Sequence, residues 1–207
     1  MFQSSNNDEI FLENSLEKKI ISFLKRKIKY YDIVIINDFG HGLLTSKIRN
    51  CLQNKSKYLT VNTQTNSANI GFNYINKYQK ANYITMDEPE ARLALQDKHS
   101  KSSILFWKLK KNIKFDLCAI TFGSHGTRIF DNKNVHFAPA LSKNVVDSLG
   151  AGDAFFSISS IFSKNVKDNI LISLIGNVAG SIQTGYLGHR SYITKNDFLS
   201  FLRSLLS

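Results

Sequence analysis

The segment Asp147-Ser148-Leu149-Gly150-Ala151-Gly152-Asp153 sets two glycines and a carboxylate where an apolar helical run begins. Glycine lets the backbone approach a ligand closely, and the unpaired N–H groups of a first helical turn attract an anion. Asp153 lies one residue past the second glycine, inside that turn. A carboxylate there could accept the proton of an attacking hydroxyl while neighbouring N–H groups neutralise charge on a transferred phosphoryl group. That would be kinase chemistry, with Asp153 as general base and Gly150, Ala151 and Gly152 as an anion hole.

Other readings compete. A dinucleotide-binding turn could also begin Gly150-x-Gly152, but the third glycine position is Phe155. In that reading Asp153 would set negative charge against a pyrophosphate. A P-loop needs Gly-Lys-Ser/Thr, and none follows. A helix start whose small residues serve tight packing is the plain structural alternative, and spacing alone does not remove it.

The chain around this segment has globular composition. Its 207 residues are 43% hydrophobic and 21% charged, with two prolines, which suits one domain spanning residues 1–207. The net charge of +11 comes from scattered lysines, densest at Lys25-Arg26-Lys27-Ile28-Lys29. Without an interleaved basic and aromatic motif this reads as a solvated surface, so no nucleic-acid partner is expected. Cys51 and Cys118 lie in apolar contexts outside any metal-ligand spacing, as buried thiols in a reducing cytoplasm would. No secretory leader and no apolar run of bilayer length is visible, so the expectation is a cytoplasmic protein with no membrane partner.

The elements that must position the segment alternate. Apolar residues at helical spacing run from Ile10 to Ile28, with Asn7 or Asp8 able to cap. A β-branched strand follows at Tyr31–Asp38, then the loop Phe39-Gly40-His41-Gly42 and a helix from about Thr45 to Gln53. Strands at Tyr58–Val61, Asn82–Thr85 and Leu117–Thr121 alternate with helices near Phe72–Tyr78, Asp87–Gln96 and Ser103–Lys111. Strands Thr127–Phe130 and Val135–Ala138 read as a hairpin, before helices at Gly150–Ser163, Lys167–Gly185 and Lys195–Leu206. The sum is an α/β, doubly wound, mostly parallel sheet with helices on both faces and antiparallel strand at its C-terminal side.

The segment Asp147–Phe155 closely resembles the C-terminal signature of the ribokinase/PfkB family of carbohydrate kinases, Asp-Thr-x-Gly-Ala-Gly-Asp-x-Phe. Ser148 is the one departure and keeps a hydroxyl. The resemblance implies a ribokinase-like fold, ATP and Mg2+ as cofactors, and a sugar or sugar phosphate as acceptor. It also implies a monovalent cation such as K+ near Asp147. Ile120-Thr121-Phe122-Gly123-Ser124-His125-Gly126 resembles the family's Thr-x-Gly-x-x-Gly turn, which implies nucleotide contacts from Thr121, Gly123 and Gly126. Asp87 and Glu90 fall at the family's Asn-x-x-Glu motif, which organises magnesium and phosphate, with Asp87 in place of asparagine. Asn37 to Leu44 resembles the Asp-Tyr-Gly-Lys-Gly loop of the heptose-phosphate kinase branch, with His41 in the lysine position. That implies substrate-side roles for Asp38, Gly40, His41 and Gly42. Gly176-Asn177-Val178-Ala179-Gly180 resembles a helix in which an asparagine lies near adenine, which points to Asn177.

The resemblance runs from about Tyr31 onward and covers the later part of the family's fold. Family members begin with a Gly-Gly sugar-binding motif and a small β-sheet lid, and nothing in Met1–Lys29 reads as either. The expectation is an N-terminally incomplete domain, completed by an upstream domain or partner chain, with homodimerisation a further option. Little sugar kinase activity is expected of the chain alone. The alternative function is a degenerate nucleotide-binding module without independent activity.

Overall fold

A computed structural model describes residues 12–65, 69, 71–141, 145–187 and 191–206. Four parallel strands, β1 (Val34–Asp38), β2 (Leu59–Thr63), β3 (Tyr83–Asp87) and β4 (Leu117–Thr121), continue into an antiparallel pair, β5 (Thr127–Phe130) and β6 (Val135–Ala138). All six form one sheet in the order β1-β2-β3-β4-β5-β6. Helices α1 (Asn14–Lys27), α2 (Ser46–Lys55), α3 (Glu88–Leu95) and α4 (Ser102–Asn112) precede the hairpin or lie between parallel strands. Helices α5 (Ala151–Ser163), α6 (Asn169–Thr184) and α7 (Lys195–Leu206) follow it.

Strand side chains alternate between faces, so register decides what each face offers. One row pairs Ile36 with Val61, Ile84, Cys118 and Phe130 across neighbouring strands. These buried residues pack with Ile48 and Leu52 of α2, Ala91 of α3 and Leu105, Phe106 and Leu109 of α4. The opposite row runs Asn37, Asn62, Thr85, Ala119, Ile129. It is apolar only toward β4 and β5, where Tyr83, Ala119 and Ile129 pack with Phe155 of α5 and Ile172 of α6. Toward β1 and β2 it is polar, and the site lies there. Helices cover both faces, and Cys51 and Cys118 are buried free thiols, as the sequence predicts.

Local chemistry sets the element ends. Glu17 of α1 is buried and accepts from the Thr45 hydroxyl (2.6 Å) and the Lys47 ammonium (2.8 Å), which ties α1 to the start of α2. The Lys47 contact, then the Thr45 one, holds its carboxyl below the usual glutamate value. Two expectations change. The helix predicted near Phe72–Tyr78 is only a 3₁₀ turn over Ile75–Lys77, because Asn73 spends its amide on the backbone of Asp38 and Gln64. The first helix begins at Asn14 after Glu13, which makes no side-chain cap; Asn7 and Asp8 lie outside the described residues.

Phe130 is fully buried against Phe106 and Phe115, with the edge of Trp107 at 4.7 Å between ring centroids. Truncating it leaves a cavity among rings that cannot collapse to fill it. Phe130→Ala should cost about 3–5 kcal/mol in urea unfolding. The emission of Trp107, the single tryptophan, should shift as its edge-on ring partner disappears.

Candidate active site

The turn into α5 is built as the sequence requires. Gly150 is the N-cap residue at φ +78°, a conformation that favours glycine. No side chain caps this helix; the Ala151 N–H donates to the Ser148 carbonyl at 3.2 Å, and the N–H groups of Gly152 and Asp153 are left for an anion. A Cβ on Gly152 would meet nothing within 4 Å, so the backbone there is open to a ligand.

Two cavities flank this turn and share Thr121, Gly152 and Phe155. One, about 220 Å³, is lined by Asn62, Gln64, Thr85, Asp87, Glu90 and Asp153, among others. The other, about 310 Å³, is lined by Gly123, Gly126, Ser148, Ala151, Asn177 and Gly180, among others. Predicted base and predicted nucleotide turn thus stand on either side of one helix end. Gly126, at φ +82°, can only be glycine: a Cβ would stand 2.3 Å from the Ala138 carbonyl oxygen.

Asp87 and Glu90 form a reciprocal cap on α3. The Asp87 carboxylate accepts from the Glu90 N–H at 2.7 Å, and Glu90 accepts from the N–H groups of Asp87 (3.0 Å) and Thr65 (2.8 Å). Burial raises the Asp87 carboxyl, with Glu88 adding to the effect. Burial, then the charges of Asp87 and Asp153, pushes Glu90 up to about 7.

Other predicted residues are used differently. The Asp38 carboxylate points inward, 3% exposed, to Lys77 Nζ (2.7 Å), the Tyr78 hydroxyl (2.6 Å) and the Gly40 N–H (3.0 Å), and lines neither cavity. His41 is exposed and stacks on Phe39, while Gly40 and Gly42 adopt positive φ in the same loop. Asn177 borders the larger cavity, but its amide accepts from Thr127 (2.7 Å) and donates to the Pro139 carbonyl (2.7 Å), so it shapes the wall. Asp147 accepts from the Leu149 N–H at 2.9 Å and stands outside both linings. Sequence reasoning missed Asn37 and Gln64, whose side-chain amides both donate to Asp153. Strand register was the only signal that could have found Asn37.

The sequence model of the pfkB family carbohydrate kinases matches residues 42–158, more than half of the chain, and spans the turn, both cavities' central residues and Asp153. The chain belongs to the pfkB family of carbohydrate kinases. Its relatives include the bifunctional protein HldE of Campylobacter jejuni subsp. doylei, 28% identical over 201 residues, covering 96% of this chain and 42% of the relative. HldE of Aliarcobacter butzleri is 31% identical over 176 residues, covering 83% of this chain and 36% of the relative. The chain thus spans about two fifths of the length of the curated relatives it matches. Among solved structures, Escherichia coli phosphofructokinase-2 in complex with potassium superposes with a TM-score of 0.77 at 12% identity, over 95% of this chain and 64% of its own. Arabidopsis thaliana ribokinase, complexed with ribose and ATP, gives 0.68 at 12% identity, over 93% and 60%. These likenesses establish a ribokinase-like fold. Among the described residues of this pfkB-family chain, no helix is long and apolar enough to cross a membrane.

The raised Glu90 carboxyl has a pH consequence. Between its ordinary value of 4.5 and about 7, the native state holds a proton that the unfolded state has released. Stability therefore falls as pH rises through that window. Native Glu90→Gln should lack this slope, so wild type should lose about 1–2 kcal/mol more than the variant between pH 4.5 and 7.5. Urea denaturation at several pH values checks this.

Proposed function

We propose that the chain carries the nucleotide-side half of an ATP-dependent phosphotransferase acting on a sugar or sugar-phosphate hydroxyl, as a single domain. One observation carries the reading: two cavities meet across the uncapped first turn of α5, with Asp153 on one side and the Thr121–Gly126 turn on the other. ATP would occupy the larger cavity, its phosphates directed at Gly150, Ala151 and Gly152. The acceptor hydroxyl would enter the smaller cavity beside Asp153. As its oxygen bonds to the γ-phosphorus, the bond to ADP breaks and Asp153 takes the hydroxyl proton.

Magnesium, when bound, would screen the phosphate charges. Asp87 and Glu90 fit it through water or phosphate, since both Glu90 oxygens already accept backbone N–H groups. Among the described residues no cluster of three or more His, Cys, Asp or Glu is arranged to hold a metal directly. Asp147, on the loop entering α5, is the residue we assign to a monovalent cation. We assign Gly40, His41 and Gly42 to the acceptor side although they line neither cavity, and Asp38 holds their loop in shape.

The acceptor side needs further polypeptide, from the same or a partner chain. Edge strand β1 leaves Ile35 42% exposed, and the relatives are more than twice as long as the matched region. A second reading, a nucleotide-binding module without turnover, is favoured by the charge of the smaller cavity. Among the described residues its lining holds Asp87, Glu90 and Asp153 but no Lys, Arg or His.

The two readings separate by assay. MgATP binding and phosphorylation of ribose, fructose 6-phosphate and a heptose 7-phosphate should be measured for the chain, with and without the preceding polypeptide, and for Asp153→Asn. The kinase reading expects turnover that falls by about 10³-fold or more in Asp153→Asn while ATP affinity holds. Binding without turnover in every combination would establish the module instead.

A further inference from the structure

Asp153 is held by two side chains that the phosphotransferase reading gives no role. Asn37 Nδ2 donates to Asp153 Oδ1 at 2.5 Å, and Gln64 Nε2 donates to the same oxygen. Asn37 sits in β1 and Gln64 follows β2, 116 and 89 residues from Asp153 in sequence. Oδ2 makes no hydrogen bond among the described residues, and Asp153 borders the smaller cavity. We propose that Asn37 and Gln64 are positioning residues: they clamp Oδ1 and leave Oδ2 as the atom that takes the acceptor's proton. The proposal rests on the reading of Asp153 as the general base.

Three further observations support a positioning role. The first is the orientation of Asn37. Its Oδ1 is buried without a hydrogen-bond partner. Turning the amide over would bring that oxygen against the carboxylate, acceptor to acceptor. The fold therefore tolerates an unmet carbonyl to keep the donor on Asp153, and buried unmet groups of this kind gather at functional sites. The second is the lacing that fixes Gln64. Its N–H donates to the Asp38 carbonyl at 3.0 Å, and its own carbonyl accepts from Asn73 (2.9 Å) and Asn69 (3.0 Å). Asn73 Nδ2 also reaches the Asp38 carbonyl at 2.7 Å, joining the ends of β1 and β2. A Cβ on Gly40 would stand 2.9 Å from Asn73 Cγ, so the bare glycine makes room for the lacing.

The third is the type of donor. Amides orient the carboxylate through charge-assisted hydrogen bonds without placing a counter-charge beside it. A lysine at either position would pair with the base as an ion pair. A free carboxylate would turn about its side-chain torsions, and a misplaced base loses much of its effect.

The test uses the chain itself with Asn37→Leu, Gln64→Leu and Asp153→Ala. In side-chain amide NMR spectra, the Asn37 and Gln64 resonances should move in Asp153→Ala while those of Asn132 hold. Asn37→Leu should melt at or above the wild-type temperature, because it removes an unmet buried carbonyl. With MgATP, the acceptor panel and the preceding polypeptide present, both leucine variants should lose about 10- to 100-fold in kcat with KM for ATP unchanged. Amide resonances unmoved by Asp153→Ala would overturn the clamp, and a lower melting temperature in Asn37→Leu would make the residue structural. Full kcat in the leucine variants beside an inactive Asp153→Ala would refute the clamp alone. Full kcat in Asp153→Ala would instead remove the base reading, and the clamp's purpose with it.

Discussion

Ring carbons of Phe155 stand 2.5 and 2.6 Å from where a Cβ on Gly176 would lie, so α5 and α6 meet at a distance only glycine permits. Gly180, one turn on, is looser: a Cβ there would stand 3.4 Å from the Ala151 carbonyl, an ordinary contact. Phe155 also packs on Tyr83 and Ala119 of the sheet and borders both cavities. This one contact fixes where the first turn of α5 stands against the ends of β3 and β4. Larger residues at Gly176 would displace the helix end, and with it the N–H groups and Asp153 together.

The sheet face beneath that turn explains why the site is polar on one side. The row through Asn37, Asn62 and Thr85 lies where α5 does not press apolar side chains onto β1 and β2. Thr60, Asn62 and Thr85 are nevertheless buried; the Asn62 amide donates to the Thr85 carbonyl and hydroxyl, while the Thr60 hydroxyl and the Asn62 carbonyl oxygen find no partner among the described residues. Nearby, the carboxylate of Asp38 is met from three directions by Lys77, Tyr78 and Gly40. A buried charge of that kind is tolerated only when its partners are complete. It holds the loop after β1 in one shape, while the backbone carbonyl of Asp38 accepts from the Gln64 N–H.

Much of this was legible in the sequence because the relevant signals are local. The strands read as β-branched apolar runs, and Gly150 with Gly152 announced a helix start that leaves its N–H groups open. Spacing within seven residues singled out Asp153, and the family resemblance, rather than spacing alone, pointed to it as a base. What escaped was set by register and by long-range partners. Asn37 and Asn62 face the site because their strands pair at that step; a slip of one residue would turn both away. Asp38 and Asn177 looked like ligand contacts, yet their hydrogen bonds are spent on Tyr78 and on Thr127 and Pro139, partners 40, 50 and 38 residues away. The predicted helix near Phe72 dissolved for the same reason, since Asn73 serves the ends of β1 and β2 rather than its own turn.

The central claim is that phosphate binds at the uncapped start of α5 between the two cavities. Backbone amide NMR during a MgATP titration tests it most directly. The account predicts that the largest shifts fall at Gly150, Gly152 and Asp153 and continue through Thr121, Gly123 and Gly126. Lys57, Lys80 and Lys114, which line a separate polar cavity of about 350 Å³ beside the starts of β2, β3 and β4, should stay unmoved. Shifts confined to that lysine-lined cavity, with the α5 turn silent, would contradict the account.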